Sequence, residues 1–198
     1  MTPLKASRAS PLSVDDRRAM IVDAVIPLLL EFGRGVTTKQ IAASAGIAEG
    51  TLFRAFGDKE SIIIAAVEKF LDPAPLRRML ASIDPEAPVE QKIHDILVHL
   101  RTRYEGIFGI LSAVGTSGQP PGADSRVEFA TLVEAILRED QARLRIDAGR
   151  VSHFVRLIAL AWSVPPFDGS SQFTTDELTD LILHGVIAVP TIPTEKDH

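Results

Sequence analysis

Seven side chains in the middle of this chain, Val89, Ile93, Ile96, Leu100, Tyr104, Phe108 and Leu111, recur at steps of three and four. That spacing sets them on one face of a helix of about six turns, either continuous or interrupted near Gly106 or Gly109. Alternation at steps of two, the mark of a half-buried strand, is nowhere sustained, and there is no internal repeat of roughly 20–50 residues. One periodicity governs the whole sequence. The expected fold class is all-α.

Helix boundaries follow from punctuation. Residues 1–12 are polar and proline-interrupted and are expected to form a flexible arm. Ser13 can cap a first helix, with Asp15 and Asp16 in its first turn and a stripe at Val22, Val25, Ile26 and Leu29. Pro27 invites a kink there, and Gly33 and Gly35 end the helix. Thr37 and Gln40 have the spacing of a capping box. A short helix follows and closes at Gly46; another covers about Glu49 to Phe56; Asp58 caps a third that stops at Asp72-Pro73. Pro73–Pro88 reads as a connector with at most a short helix. Beyond the long stripe, Gly115–Ser125 is the least ordered internal segment. Helices are then expected over about Arg126–Leu144 and Ala148–Val164, the second stopped by Pro165-Pro166. A last one opens with the Thr174/Glu177 capping box and runs to Val189. Three parts result: an arm 1–12, a group of short helices over 13–72 and a longer helical part over 73–198.

The 198 residues carry no cysteine, which removes disulfide scaffolds, thiolate metal sites and cysteine nucleophiles together. No apolar run reaches the roughly 18 residues of a membrane span and no apolar leader segment is visible, so a cytoplasmic protein without a membrane partner is expected. His94 and His99, five apart, do not share a helix face, so no metal pair is expected there. The net charge of −5 hides an asymmetry: through Lys59 there are eight Lys/Arg against six Asp/Glu, and from Glu60 onward thirteen against twenty. The first 59 residues are therefore the candidate contact region for nucleic acid.

Thr38–Ala55 is the informative window. Two short helices crossing steeply through a tight turn need a small residue at the contact and a glycine in the turn. Ala42 and Gly46 stand in those places, with Ile41, Ala45, Ile47 and Leu52 as apolar ties. The second helix then presents Glu49, Gly50, Thr51, Phe53, Arg54 and Ala55 outward or partly outward, within reach of base edges and phosphates. The Ala-x3-Gly spacing alone fits an ordinary helical hairpin equally well.

The order of these residues resembles the DNA-binding domain of the TetR family of bacterial transcriptional regulators. The match runs through Ile21-x-Asp23-Ala24, Phe32-Gly33, Thr37-Thr38, Ile41-Ala42, Ala45-Gly46-Ile47, Gly50-Thr51-Leu52-Phe53, and Phe56 followed by Lys59-Glu60. The resemblance implies DNA contacts from Thr38 and Lys39, Thr51 with Gly50 allowing close approach, Phe53 in place of the usual tyrosine, and Lys59 at the start of the fourth helix. Arg54 and Glu49 join them on the exposed face; Glu49 would repel phosphate but can accept from a cytosine amino group. Ala48 stands where the family often has a capping serine.

For the remainder, the resemblance implies a small-molecule pocket and a two-fold dimer made by the last two long helices. Leu97, Arg101, Tyr104 and Phe108, facing Phe129 and Val133, are the expected pocket residues, for a largely apolar organic effector; the same stripe also fits plain core. Val151, Val155, Ile158 and Trp162, with Leu178, Ile182 and Val189, are the expected dimer contacts, although an intramolecular core would look the same. The function implied is a ligand-responsive, sequence-specific regulator. It would be a homodimer on an inverted-repeat double-stranded DNA operator, a repressor released by its effector, with no cofactor and no catalytic residues. The alternatives are a DNA-binding or interaction module without effector response, or a small enzyme using the C-terminal pocket; no nucleophile–base pair and no glycine-rich phosphate loop after a strand stands out for the latter.

Overall fold

A computed structural model describes residues 13–115, 123–164 and 173–186. The chain is helical throughout these, with no β-strand among the described residues. In chain order the α-helices are α1 (Val14–Phe32), α2 (Thr38–Ser44), α3 (Glu49–Phe56), α4 (Lys59–Leu71), α5 (Ala74–Ala81), α6 (Val89–Ala113), α7 (Ala123–Ile136), α8 (Ala148–Trp162) and α9 (Thr175–Val186). Among the described residues no helix is long and apolar enough to cross a membrane. The arm 1–12, most of Gly115–Ser125, Pro165-Pro166 and Val189 lie outside the described residues.

Two compact units form: Met1–Leu71 with Gly109–Ser117, and Asp72–Phe108 with Gly118–His198. The division expected at 72/73 was linear. The return of residues 109–117 to the first unit is not linear, so α6 belongs to both.

In the first unit α1 packs against α2, α3 and α4. Ser13 caps α1 by accepting from the Asp16 amide at 3.0 Å, and Ile21, Val22, Val25 and Leu29 form its buried face. Pro27 sits on the exposed side and α1 continues through it. The carbonyl left without a partner there is therefore within reach of water, so the interruption costs less than in a buried turn. Gly33 then adopts φ 54°, and a Cβ at this position would run into the Ala113 carbonyl oxygen. Only glycine fits both demands. Arg34 donates from Nε to the Val114 carbonyl at 2.7 Å, fixing the same corner.

The second unit is built on a core from α5 to α9 that includes Leu80, Ile93, Ile96, Leu97, Leu100, Val133, Val151 and Val155. α6 runs unbroken through Gly106 and Gly109. α7 departs from expectation: it ends at Ile136 instead of continuing to Leu144, and Arg138–Arg143 tighten into a 3-10 helix. The tighter winding lets Leu137, Asp140 and Leu144 all turn inward. Asp140 meets Lys92 there at 2.8 Å, and Lys92 is only 2% exposed. Asp147 then caps α8 by accepting from the Arg150 amide at 2.9 Å.

Candidate nucleic-acid interface

The start of α2 is held by a complete capping box. Thr37 Oγ1 accepts from the Gln40 amide, and the Gln40 side chain accepts from the Thr37 amide. Ile41 and Ala42 bury its inner face. The turn into α3 then closes through Gly46 N–H to Ala43 O at 3.2 Å and Ile47 N–H to Ala42 O at 3.0 Å, with Gly46 at φ 65°. A side chain at that φ would be strained, whereas glycine is not. Leu52 and Phe56 anchor α3 from below. The opposite face is therefore presented to solvent, with Gly50, Phe53 and Arg54 exposed and Thr51 half-buried. Ala48 precedes α3 without a capping side chain.

The polar residues assigned to DNA divide by what already holds them. Lys39 is exposed. Arg54 Nη2 donates to Thr51 Oγ1 at 3.2 Å, which leaves the threonine hydroxyl proton to point elsewhere. The Thr38 hydroxyl, by contrast, donates to the Glu49 carboxylate, tying the start of α2 to the start of α3. Lys59 is held as well. Its ammonium donates to the Arg34 carbonyl at 2.9 Å and the Val36 carbonyl at 3.1 Å, closing the bend between α1 and α2. Asp58 begins α4 by accepting from the Ser61 amide at 2.7 Å, and the Ser61 amide and hydroxyl hold its carboxyl below the usual range.

In the second unit the residues expected to line a pocket separate into two sets. Leu97, Phe129 and Val133 are buried in the core. Tyr104 packs against that core, its phenol pushed up by burial against the opposing charge of Arg156. Arg101 lies over the Trp162 ring, its guanidinium carbon 3.8 Å from the centroid, and donates to Glu105 at 2.6 Å. Phe108 is half-buried.

The residues expected at a dimer contact are placed just as unevenly. Val151, Val155, Trp162, Leu178 and Ile182 are buried in this chain's own core, and Ile158 packs against it. The apolar side chains that α8 and α9 leave exposed are Phe154, Leu157 and Leu181, at 38%, 47% and 56%. Sequence periodicity identified the apolar faces but not which of them the chain covers itself. It also missed the Lys92–Asp140 pair. The signal was there: Lys92 stands three residues after Val89 and four before Ile96, inside the apolar stripe. No group of three or more His, Cys, Asp or Glu able to hold a metal occurs among the described residues.

Residues 21–66 match the model of the bacterial regulatory proteins of the tetR family. The HTH-type transcriptional repressor KstR2 of Rhodococcus jostii is 35% identical over 208 aligned positions, covering 94% of this chain and 98% of that protein. The chain belongs to the TetR family. A nucleoid occlusion factor, SlmA of Idiomarina loihiensis, is 27% identical over 71% of this chain and 84% of its own length. Among solved structures, a TetR transcriptional regulator from Streptomyces coelicolor superposes with a TM-score of 0.54 at 25% identity, over 86% of this chain and 98% of that one. As a TetR-family protein the chain is a DNA-binding transcriptional regulator, and α3 is the second helix of its helix-turn-helix.

Proposed function

We propose that this regulator is a homodimeric repressor. It holds an inverted-repeat operator through one α3 per protomer and releases it when a largely apolar small molecule binds the second unit. The observation that carries the DNA half is the outer face of α3. Gly50, Thr51, Phe53 and Arg54 stand on it free of any ion pair with a described residue, while Leu52 and Phe56 hold the helix rigid from the other side. Phe53 lacks a hydroxyl and contributes its ring, against a sugar or a thymine methyl. The repressor assignment is supported by the name that KstR2 carries.

Two-fold pairing is supported by Phe154, Leu157 and Leu181, an exposed apolar surface on α8 and α9. One helix-turn-helix makes few base contacts, whereas two spaced by a DNA turn combine their affinities. For the effector, Arg101 over Trp162 beside Tyr104 offers a cation, a ring and a phenol at the margin of the core. An organic acid with a large apolar body fits that set. A coupling of roughly 1–3 kcal/mol between effector and DNA would change operator affinity about 5–150-fold.

The test is selection of bound fragments from genomic DNA by the intact chain, followed by affinity measurement on the selected duplex. A short inverted repeat is the expected product, and Thr51→Ala with Phe53→Ala should weaken its binding at least tenfold without lowering Tm. Salt-sensitive binding with no sequence preference would overturn the reading in favour of an architectural role.

A further inference from the structure

Arg17 and Arg18 are neighbours near the start of α1, and the fold treats them differently. Arg18 donates from Nη1 to the Ala55 carbonyl, and its guanidinium stacks on the Phe56 ring 4.2 Å from the centroid. It is part of the joint between α1 and α3. The Arg17 amide bonds the Ser13 carbonyl, but its half-buried side chain makes no hydrogen bond or ion pair with any described residue. Its side chain lines a groove of about 630 Å³ between α1 and α3, together with Val14, Ala48, Thr51 and Arg54.

The chemistry of that groove is one-sided. Two guanidiniums share it and no carboxylate lines it. Like charges around one concave wall repel, and the nearby acids are engaged elsewhere: Asp16 with Ser13 and Glu49 with Thr38. Thr51 accepts from Arg54, so its own proton is free to be donated into the same space. Two planar forks and a hydroxyl, all donors, match the oxygens of a phosphate. Thr51 and Arg54 also lie on α3, so a phosphate held here belongs naturally to the duplex that this helix enters.

We propose that Arg17, Arg54 and Thr51 form a seat for one backbone phosphate of bound DNA, which adds α1 to the DNA-contacting helices and sets how deeply α3 lies in the groove. This rests on the DNA-binding reading above. A phosphate contact positions the protein without reading sequence, so Arg17 should matter equally on every duplex.

The experiment uses the full chain, a duplex selected by the parent from a random-sequence pool, and a scrambled duplex of equal length, each titrated with salt. Arg17→Ala is expected to weaken binding roughly three- to tenfold on both duplexes. It should also lower the slope of log affinity against log salt by about 0.9 for each seat lost. Arg17→Lys should keep the slope, and neither change should move Tm, whereas Arg18→Ala should lower Tm. Unchanged affinity and slope in Arg17→Ala, beside a parent that binds normally, overturns the seat alone. A parent without affinity for any duplex takes down the DNA-binding reading and the seat with it. Inorganic phosphate at constant ionic strength should leave Tm unchanged; an Arg17-dependent rise would reassign the groove to a free anion and overturn the proposal.

Discussion

The two units of this regulator place their polar contacts differently. In the first they lie at or near the surface, some local, as in Ser13 to Asp16, Thr37 to Gln40 and Asp58 to Ser61, and some distant, as in Lys59 to Arg34 and Arg34 to Val114. In the second, a contact between residues 48 positions apart, Lys92 and Asp140, is buried in the interior. The difference teaches why helix caps can be read from a short window while a buried pairing cannot. Local caps stabilise a small helical unit with its surface left free for DNA. A larger core can afford a buried ion pair, but the pair then holds only as a whole.

The sharpest way to break this contrast is Asp140→Ala, which leaves the Lys92 ammonium buried without its carboxylate. Denaturant unfolding should show a loss of about 3–5 kcal/mol. Exchanging both residues together, Lys92→Met with Asp140→Leu, should recover most of it. If the single change costs less than a helix cap, the second unit does not depend on that pair.

Next in size is Gly33→Ala in the first unit. Left-handed backbone and collision with the Ala113 carbonyl act together, so about 2–3 kcal/mol of destabilisation is expected by thermal or chemical unfolding. Gly46→Ala shares the positive φ but meets open space, and should cost about 1 kcal/mol. A reversed order would mean that the corner at Gly33 is looser than its packing implies.

Thr37→Ala removes one half of the α2 capping box and should cost about 1 kcal/mol. Leu157→Glu should leave the fold intact, because the side chain is exposed, yet convert a dimer to a monomer in sedimentation. Unchanged association would move the proposed interface elsewhere.

The smallest effect is acid sensitivity of the cap carboxylates, one in each unit. The carboxyl groups of Asp58 and Glu177 are held below their ordinary values, by the amide and hydroxyl of Ser61 and of Thr174 respectively. Their stabilisation is therefore complete above the ordinary carboxylate range and is lost as pH falls through the lowered values. Tm of Ser61→Ala should converge on the parent's at low pH, whereas Thr174→Val also loses the bond accepted from the Glu177 amide and should keep part of its deficit. A difference that persists in Ser61→Ala would show that its hydroxyl acts by something other than its bond to the carboxylate.

Much of the recognition unit was legible because its signals are short-range. Capping pairs three apart, a glycine four residues after a small alanine, and the bounds of α3 at Glu49 and Phe56 depend on the backbone within one or two turns. The same logic found the Thr174/Glu177 box at α9. It does not resolve side chains with two destinations. Lys59 is cationic at a helix start, which suits a phosphate, and in the folded chain it also bonds two carbonyls of the preceding bend. Arg17 and Arg18 are chemically identical and adjacent, and only the position of α3 separates a joint from a free cation.

From the residue order alone came the helical class, the helix-turn-helix and its turn, because periodicity and capping act between near neighbours whatever the rest of the chain does. Which apolar faces the chain covers itself, where α7 gives way to the tighter turn that buries Asp140, and which cations stay uncommitted were settled only by packing. These depend on groups brought together from distant positions, and a charge or an apolar stripe carries no local mark of what will meet it.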